Sequence, residues 1–202
     1  MKRVLLYFGS FNPVHRGHIA LAEYAIEEGI ADEVILIVSP QNPHKQSAGL
    51  APEFSRYEMC TAACQTSKYP EQILVSAVEF TLPRPSYTID TLRFLSENFG
   101  DKMHFSILIG ADNVERFDMW KEYEQILAHY PIFVYPRSGY SVEKFADRMI
   151  ITSDNSRTEK TCDIMADIKE GMDLSGRAKS LFIEDREQAI RTAVMIATEG
   201  AT

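Results

Sequence analysis

The feature that most limits the fold is a pair of short apolar runs with little alternation. Residues 4–8 read VLLYF and residues 33–38 read EVILIV. Each is short, rich in β-branched or aromatic members and bounded by turn residues, the mark of a buried strand. Between them Ile19, Ala22, Ala25 and Ile26 recur at helical spacing over residues 18–28, and Gly29 supplies a stop. A strand, a helix and a strand joined by short connections favour parallel pairing with a right-handed crossover.

The alternation continues along the chain. The pattern predicts a helix over 53–67, a strand over 73–78, a helix over 87–98 and a strand over 104–109 that ends at Gly110. Two short helices are expected at 114–117 and 123–128, strands at 132–135 and 149–152, and helices at 161–169 and 184–198. This predicts an α/β fold: a doubly wound, Rossmann-like, mostly parallel sheet with helices on both faces. Residues 1–202 are expected to form a single domain, with a small helical C-terminal part from about 153 to 202. In such sheets ligands bind beyond the carboxyl ends of the strands, so the polar loops after strands are where chemistry is sought.

The formal net charge of −8 argues against nonspecific binding of nucleic acid. An acidic chain that handles anions needs a local cluster of cations and backbone amides. No apolar stretch approaches the ~20 residues of a membrane helix, and no secretory signal is evident, so the expected compartment is the cytoplasm. The three cysteines, Cys60, Cys64 and Cys162, do not make a disulfide framework. Cys60 and Cys64 read as small buried residues on one helix face, and no metal site is predicted.

The loop after the first strand is GSFNPVHRGH, residues 9–18. Gly9 permits a tight turn or close approach of a phosphate. The helix that follows directs its free amides and positive dipole end into the loop. His15 and His18 share a face if both lie in the first turn. Two imidazoles there can donate to phosphate oxygens, which suits phosphoryl transfer, a reaction that asks mainly for positioning and charge stabilisation. A zinc pair or two surface histidines are the alternatives. The string is neither a Walker loop nor GxGxxG.

The whole string resembles the ATP-binding motif of the HxGH nucleotidyltransferase superfamily, whose members transfer a nucleotidyl group and release pyrophosphate. The resemblance implies that His15 and His18 contact the triphosphate, and that Gly9, Ser10, Phe11 and Gly17 line the nucleotide. Asn12 stands where many relatives carry Asp. After the second strand, SPQNPHK at 39–45 is similar to a segment of the nicotinate mononucleotide adenylyltransferase branch, which places Lys45 near the reacting phosphates.

Further motifs resemble the same branch. In EFTLPRPSYTIDTL, residues 79–92, Ser86 and Thr88 read as helix caps, with Asp90 in the first turn. The resemblance makes this the pyridine-binding segment and assigns Tyr87 and Thr88 to it. IGADN at 109–113 offers Gly110 for close backbone approach and Asp112 as an acceptor for ribose hydroxyls. Trp120, the sole tryptophan, falls in a family pattern that assigns it to stacking on the pyridine ring. Arg137 matches a basic substrate-binding position. Arg56 matches a recurrent position too, but reads equally as an ion-pair partner on a helix and is not placed in the site.

The match covers residues 2–140. Relatives then carry Ser-Ser-Thr-x-x-Arg at a late helix start; here Lys160, Thr161 and Cys162 stand at that place, and Met165 replaces the arginine. Either Ser156 or Arg157 upstream rebuilds the phosphate grip, or ATP binding is weakened. The resemblance implies transfer of the adenylyl group of ATP to nicotinate mononucleotide, with Mg²⁺ held mainly by substrate phosphates. Alternatives are another acceptor, nicotinamide mononucleotide or phosphopantetheine, and a regulatory nucleotide-binding homologue with impaired catalysis. No nucleic acid or membrane partner is expected, and monomer and homodimer are both open.

Overall fold

The computed structural model describes residues 1–40, 49–135, 149–151 and 180–182. Its elements run β1 (Lys2–Gly9), α1 (Arg16–Glu27), β2 (Glu33–Val38), α2 (Glu53–Gln65), β3 (Ile73–Ser76), α3 (Thr88–Phe99), β4 (Met103–Gly110), α4 (Ala111–Val114), α5 (Tyr123–His129), β5 (Ile132–Tyr135), β6 (Met149–Ile151) and β7 (Ser180–Phe182). Short 3-10 turns fall at Val78–Phe80 and Phe117–Met119.

The first five strands form one sheet in the order β3-β2-β1-β4-β5, and every pairing in it is parallel. The chain winds outward from β1 to β3 and then returns to β4 on the other side of β1. The switch point therefore lies between β1 and β4, where α/β sheets of this kind open a crevice at their carboxyl ends. Gly9 ends β1 and Gly110 ends β4, so both glycines reach that edge. The doubly wound parallel fold expected from the alternation is the observed one.

Burial explains the unalternating runs. Leu5, Leu6, Leu36 and Ile37 are each 0% exposed, so both faces of the central strands are covered. One face packs Leu5, Tyr7, Leu36 and Val38 against Ala22 and Ala25 of α1 and Cys60 and Cys64 of α2. Burial pushes the Cys60 thiol up to about 12 and the Cys64 thiol up to about 11, which leaves both as inert core residues. The end of α1 is set by Gly29 at φ 66°. Its N–H donates to the Ile26 carbonyl, and the Ile30 N–H donates to the Ala25 carbonyl, the paired bonds of a Schellman stop.

Several expectations are corrected. The helix expected at 123–128 is present as α5, but in place of the one expected at 114–117, α4 begins at once after β4 because Gly110 takes the N-cap position, and a 3-10 turn buries Phe117. The strand expected over 73–78 ends at Ser76, and Val78 opens a 3-10 turn that turns Glu79 inward. Neither Ser86 nor Thr88 caps α3. Tyr87 occupies the N-cap position and Thr88 is the first helical residue, because the Ser86 hydroxyl is committed to the buried Glu79 carboxylate.

The chain divides into two compact units, Met1–Tyr140 and Ser141–Thr202. In the second, β6 and β7 pair in parallel. The strand at Ser180–Phe182 was not anticipated in a region read as helical. The helices expected at 161–169 and 184–198 lie outside the described residues. Among the described residues, no helix is long and apolar enough to cross a membrane.

Candidate active site

The loop between β1 and α1 is shaped by Phe11. Its backbone sits at φ 45°, in the left-handed region, and its ring is buried. That ring lies over Gly9, where an added Cβ would stand 2.9 Å from Cζ of Phe11. The same ring meets Tyr7 edge-on at 5.6 Å and His18 edge-on at 5.1 Å. Gly9 is thus needed so that Phe11 can turn in and brace His18.

His15 is the N-cap of α1 and His18 its third residue. Their rings stack at 3.7 Å between centroids, 28° from parallel. The His15 backbone N–H donates to Nδ1 of His18 at 3.2 Å. With Nδ1 accepting, a neutral His18 carries its proton on Nε2. The structure therefore brings the two histidines together at a helix N-terminus and assigns a donor atom to one of them.

Gly17 belongs to this arrangement. A Cβ there would stand 3.1 Å from Cε1 and Nδ1 of His15. Gly17→Ala is expected to separate activity from stability. Alanine in a helix gains roughly 0.5–1 kcal/mol over glycine, so the melting temperature should hold or rise. The displaced His15 ring should meanwhile lower turnover by about tenfold. Thermal melts and kcat measured on one preparation check this; a loss of both together would remove the special role given to Gly17.

Asn12 closes the loop from the other side. Its Nδ2 donates to the Gly49 carbonyl at 3.0 Å, and its Oδ1 accepts from the Ala51 N–H at 3.1 Å. Asparagine serves here as both donor and acceptor, which an ionised aspartate could not do.

The second cluster surrounds the start of α3. Tyr87 and Thr88 are half-buried there. The Tyr87 carbonyl accepts from the Asp90 and Thr91 amides, while the amides of the first turn before them precede the intrahelical ladder. Lys121 reaches over from the segment before α5. Its Nζ sits 5.0 Å above the Tyr87 ring and binds both Asp90 oxygens at 2.9 Å. The neighbouring Trp120 is half-buried, its ring 5.0 Å from that of the buried Phe117. Gly110 is buried at the N-cap of α4, and Asp112 is half-buried just beyond it, in the first turn. Lys45, Arg137 and the 160–165 segment lie outside the described residues, as do Ser156 and Arg157.

Two buried ionic groups were not placed in the site by sequence. Arg56 is 1% exposed and donates to four backbone carbonyls, those of Ala51, Ser10, Ser39 and Pro40. It is a carbonyl clamp, and not the ion-pair partner that its helical position also suggested. Glu79 is 2% exposed and accepts from Ser86 and Thr91, each at 3.0 Å. Burial pushes its carboxyl above the usual range, opposed by hydrogen bonds from Ser39, Ser86 and Thr91.

Comparisons with known proteins match this sequence to a family. The cytidylyltransferase-like family profile matches residues 6–179. The chain is 44% identical over 139 residues to a probable nicotinate-nucleotide adenylyltransferase of Cytophaga hutchinsonii, covering 69% of this chain and 70% of that one. The chain belongs to the nicotinate-nucleotide adenylyltransferase family. A Bacteroides fragilis member is 45% identical, over 69% of this chain and 67% of its own. A Christiangramia forsetii member is 38% identical, over 75% and 77%.

Solved structures agree on the adenylyltransferase fold. Plasmodium falciparum nicotinic acid mononucleotide adenylyltransferase complexed with NaAD superposes with a TM-score of 0.61 at 15% identity, covering 92% of this chain and 76% of that one. A putative nicotinate-nucleotide adenylyltransferase from Vibrio parahaemolyticus gives 0.56 at 18% identity, covering 96% and 99%. At such identities the likeness speaks for the fold alone.

Proposed function

We propose that this chain transfers the adenylyl group of ATP to nicotinate mononucleotide, yielding deamido-NAD and pyrophosphate. Family membership supplies the reaction, and one observation ties it to these residues: the stacked pair His15 and His18 at the carboxyl end of β1, with a defined donor nitrogen. The mononucleotide's phosphate oxygen attacks the α-phosphorus in line, and pyrophosphate leaves. Both reactants bring their own phosphates, so no enzyme nucleophile is required. His15, His18 and Lys45 stabilise the charge that develops, and Gly9, Ser10, Phe11 and Gly17 line the nucleotide. Gly110 and Asp112 complete the ATP side, and Tyr87, Thr88, Trp120 and Arg137 hold the mononucleotide.

Among the described residues, no three His, Cys, Asp or Glu side chains converge to hold an ion. We place Mg²⁺ in this reaction on the substrate phosphates and water, as a hard cation that keeps several waters and binds substrate phosphates. The family match from 6 to 179 reaches into both compact units, which supports treating residues 1–202 as a single nucleotidyltransferase domain.

Pyrophosphate release tests this reading, assayed with ATP and in turn nicotinate mononucleotide, nicotinamide mononucleotide or phosphopantetheine. Release should be fastest with the first. Release that favours phosphopantetheine would reassign the acceptor, and release with none would identify a binding protein.

Trp120 carries a separate prediction. Stacking on an aromatic ring is worth about 1–3 kcal/mol, so Trp120→Ala should weaken mononucleotide binding by roughly 5- to 150-fold. ATP affinity should stay within about twofold, a change below 0.5 kcal/mol. Calorimetric titration of each ligand alone reads both numbers, and equal losses would take Trp120 out of the pyridine pocket.

A further inference from the structure

Phe11 sits between two tethered residues. On one side, Nη1 of Arg56 donates to the Ser10 carbonyl. On the other, Asn12 donates from Nδ2 to the Gly49 carbonyl at 3.0 Å and accepts on Oδ1 from the Ala51 N–H at 3.1 Å. The two tethers meet at Ala51, whose carbonyl accepts from Nε of Arg56 at 2.9 Å. A circuit of Ser10, Arg56, Ala51 and Asn12 therefore closes around Phe11. The guanidinium is itself fixed against the bend after β2, through the Ser39 carbonyl at 2.9 Å and the Pro40 carbonyl at 3.1 Å.

The residue inside that circuit has a costly backbone. Phe11 stands at φ 45°, and a bulky L residue holds the left-handed region only where its surroundings impose it. The turn carries the Phe11 ring over Gly9 and against His18, which it meets edge-on at 5.1 Å. A guanidinium that is 1% exposed has given up its hydration, and its bonds must make good that loss. What it offers in return is direction. Arginine presents five donors in a rigid planar fork, and Arg56 spreads four hydrogen bonds over three chain segments.

We infer that Arg56, with Asn12 as its counterpart across Ala51, imposes the left-handed turn at Phe11 and thereby sets the place of the His18 ring. Their part as positioning residues for adenylyl transfer rests on the function proposed above. Neither acts on the reacting atoms. Both act through Phe11 on His18.

Kinetics and the histidine ring signals of the substrate-free protein in NMR spectra test this together. Arg56→Lys keeps the charge and loses the fork. It should lower kcat by about tenfold, part of the roughly 100-fold that a 1 Å misplacement can cost, with both KM values within about twofold. In a His18→Ala background the same substitution should change kcat by less than about twofold, because the residue it acts through is gone.

In the substrate-free protein the ring current of Phe11 displaces the carbon-bound proton signals of His18. Phe11→Leu removes that ring, and Arg56→Lys lets it move. Both should shift the His18 signals in the same direction and leave those of the exposed His104 and His129 in place. A full tenfold loss on top of His18→Ala, a rise in KM with kcat unchanged, or His18 signals unmoved by Arg56→Lys would each overturn the inference. Should Arg56→Lys fail to fold, Asn12→Ala cuts the other tether and is held to the same outcomes. A wild-type protein that releases no pyrophosphate with any acceptor would refute the proposed reaction, while the His18 signals still judge the positioning.

Discussion

His18→Ala should lower kcat by about 100- to 1,000-fold, the loss seen when one preorganised donor to a developing anion is removed. The ring is held from several directions. It stacks on His15 at 3.7 Å, meets Phe11 edge-on at 5.1 Å and accepts the His15 N–H on Nδ1. Those contacts hold its orientation before substrate arrives, which is the condition under which a donor lowers a barrier without reorganising. Alanine removes the donor and leaves the loop's other ties, from Asn12 to Gly49 and from Arg56 to Ser10, in place. The variant should therefore remain folded by circular dichroism. Single-turnover rates separate chemistry from binding, and a folded variant with near-normal turnover would remove His18 from the catalytic set.

The second large effect concerns the acceptor. Nicotinate mononucleotide should exceed nicotinamide mononucleotide in kcat/KM by about 10- to 100-fold, the ratio that one or two unpaired donors would produce. The two differ in a ring carboxylate against a carboxamide. The start of α3 offers free amides and the positive end of the helix dipole, both of which favour an anion. Asp90 is the acidic group that could instead welcome an NH₂, but both of its oxygens are bound by Lys121 at 2.9 Å. A carboxamide that presents NH₂ to amide donors leaves buried groups unpaired at about 1–3 kcal/mol each, which sets the size of the expected ratio. Measuring kcat/KM for both at saturating ATP decides it, and preference for the amide would mean that the α3 amides do not face the ring substituent.

Sheet and site were legible in the sequence to different degrees. Runs such as EVILIV announce a strand buried on both faces because burial is written in side-chain type, and Gly29 announces a helix stop because few other residues adopt φ 66° at no cost. Phe11 was legible as part of a motif, but its left-handed backbone and its place over Gly9 were not, since they depend on where β1 ends. Arg56 and Glu79 were hidden for a physical reason. Periodicity reports which face of an element a residue occupies, whereas their partners are carbonyls and hydroxyls from distant loops. Ser86 misled for the same reason: it looks like a cap in isolation, and only the buried carboxylate seven residues earlier explains why it turns away from the helix.

Nothing tests adenylyl transfer more directly than the fate of the α-phosphorus of ATP. With ATP labelled at that atom and nicotinate mononucleotide as acceptor, the label should appear in deamido-NAD one-for-one with pyrophosphate released. Label recovered as AMP, or left in ATP while the mononucleotide binds, would contradict adenylyl transfer as the activity of this site.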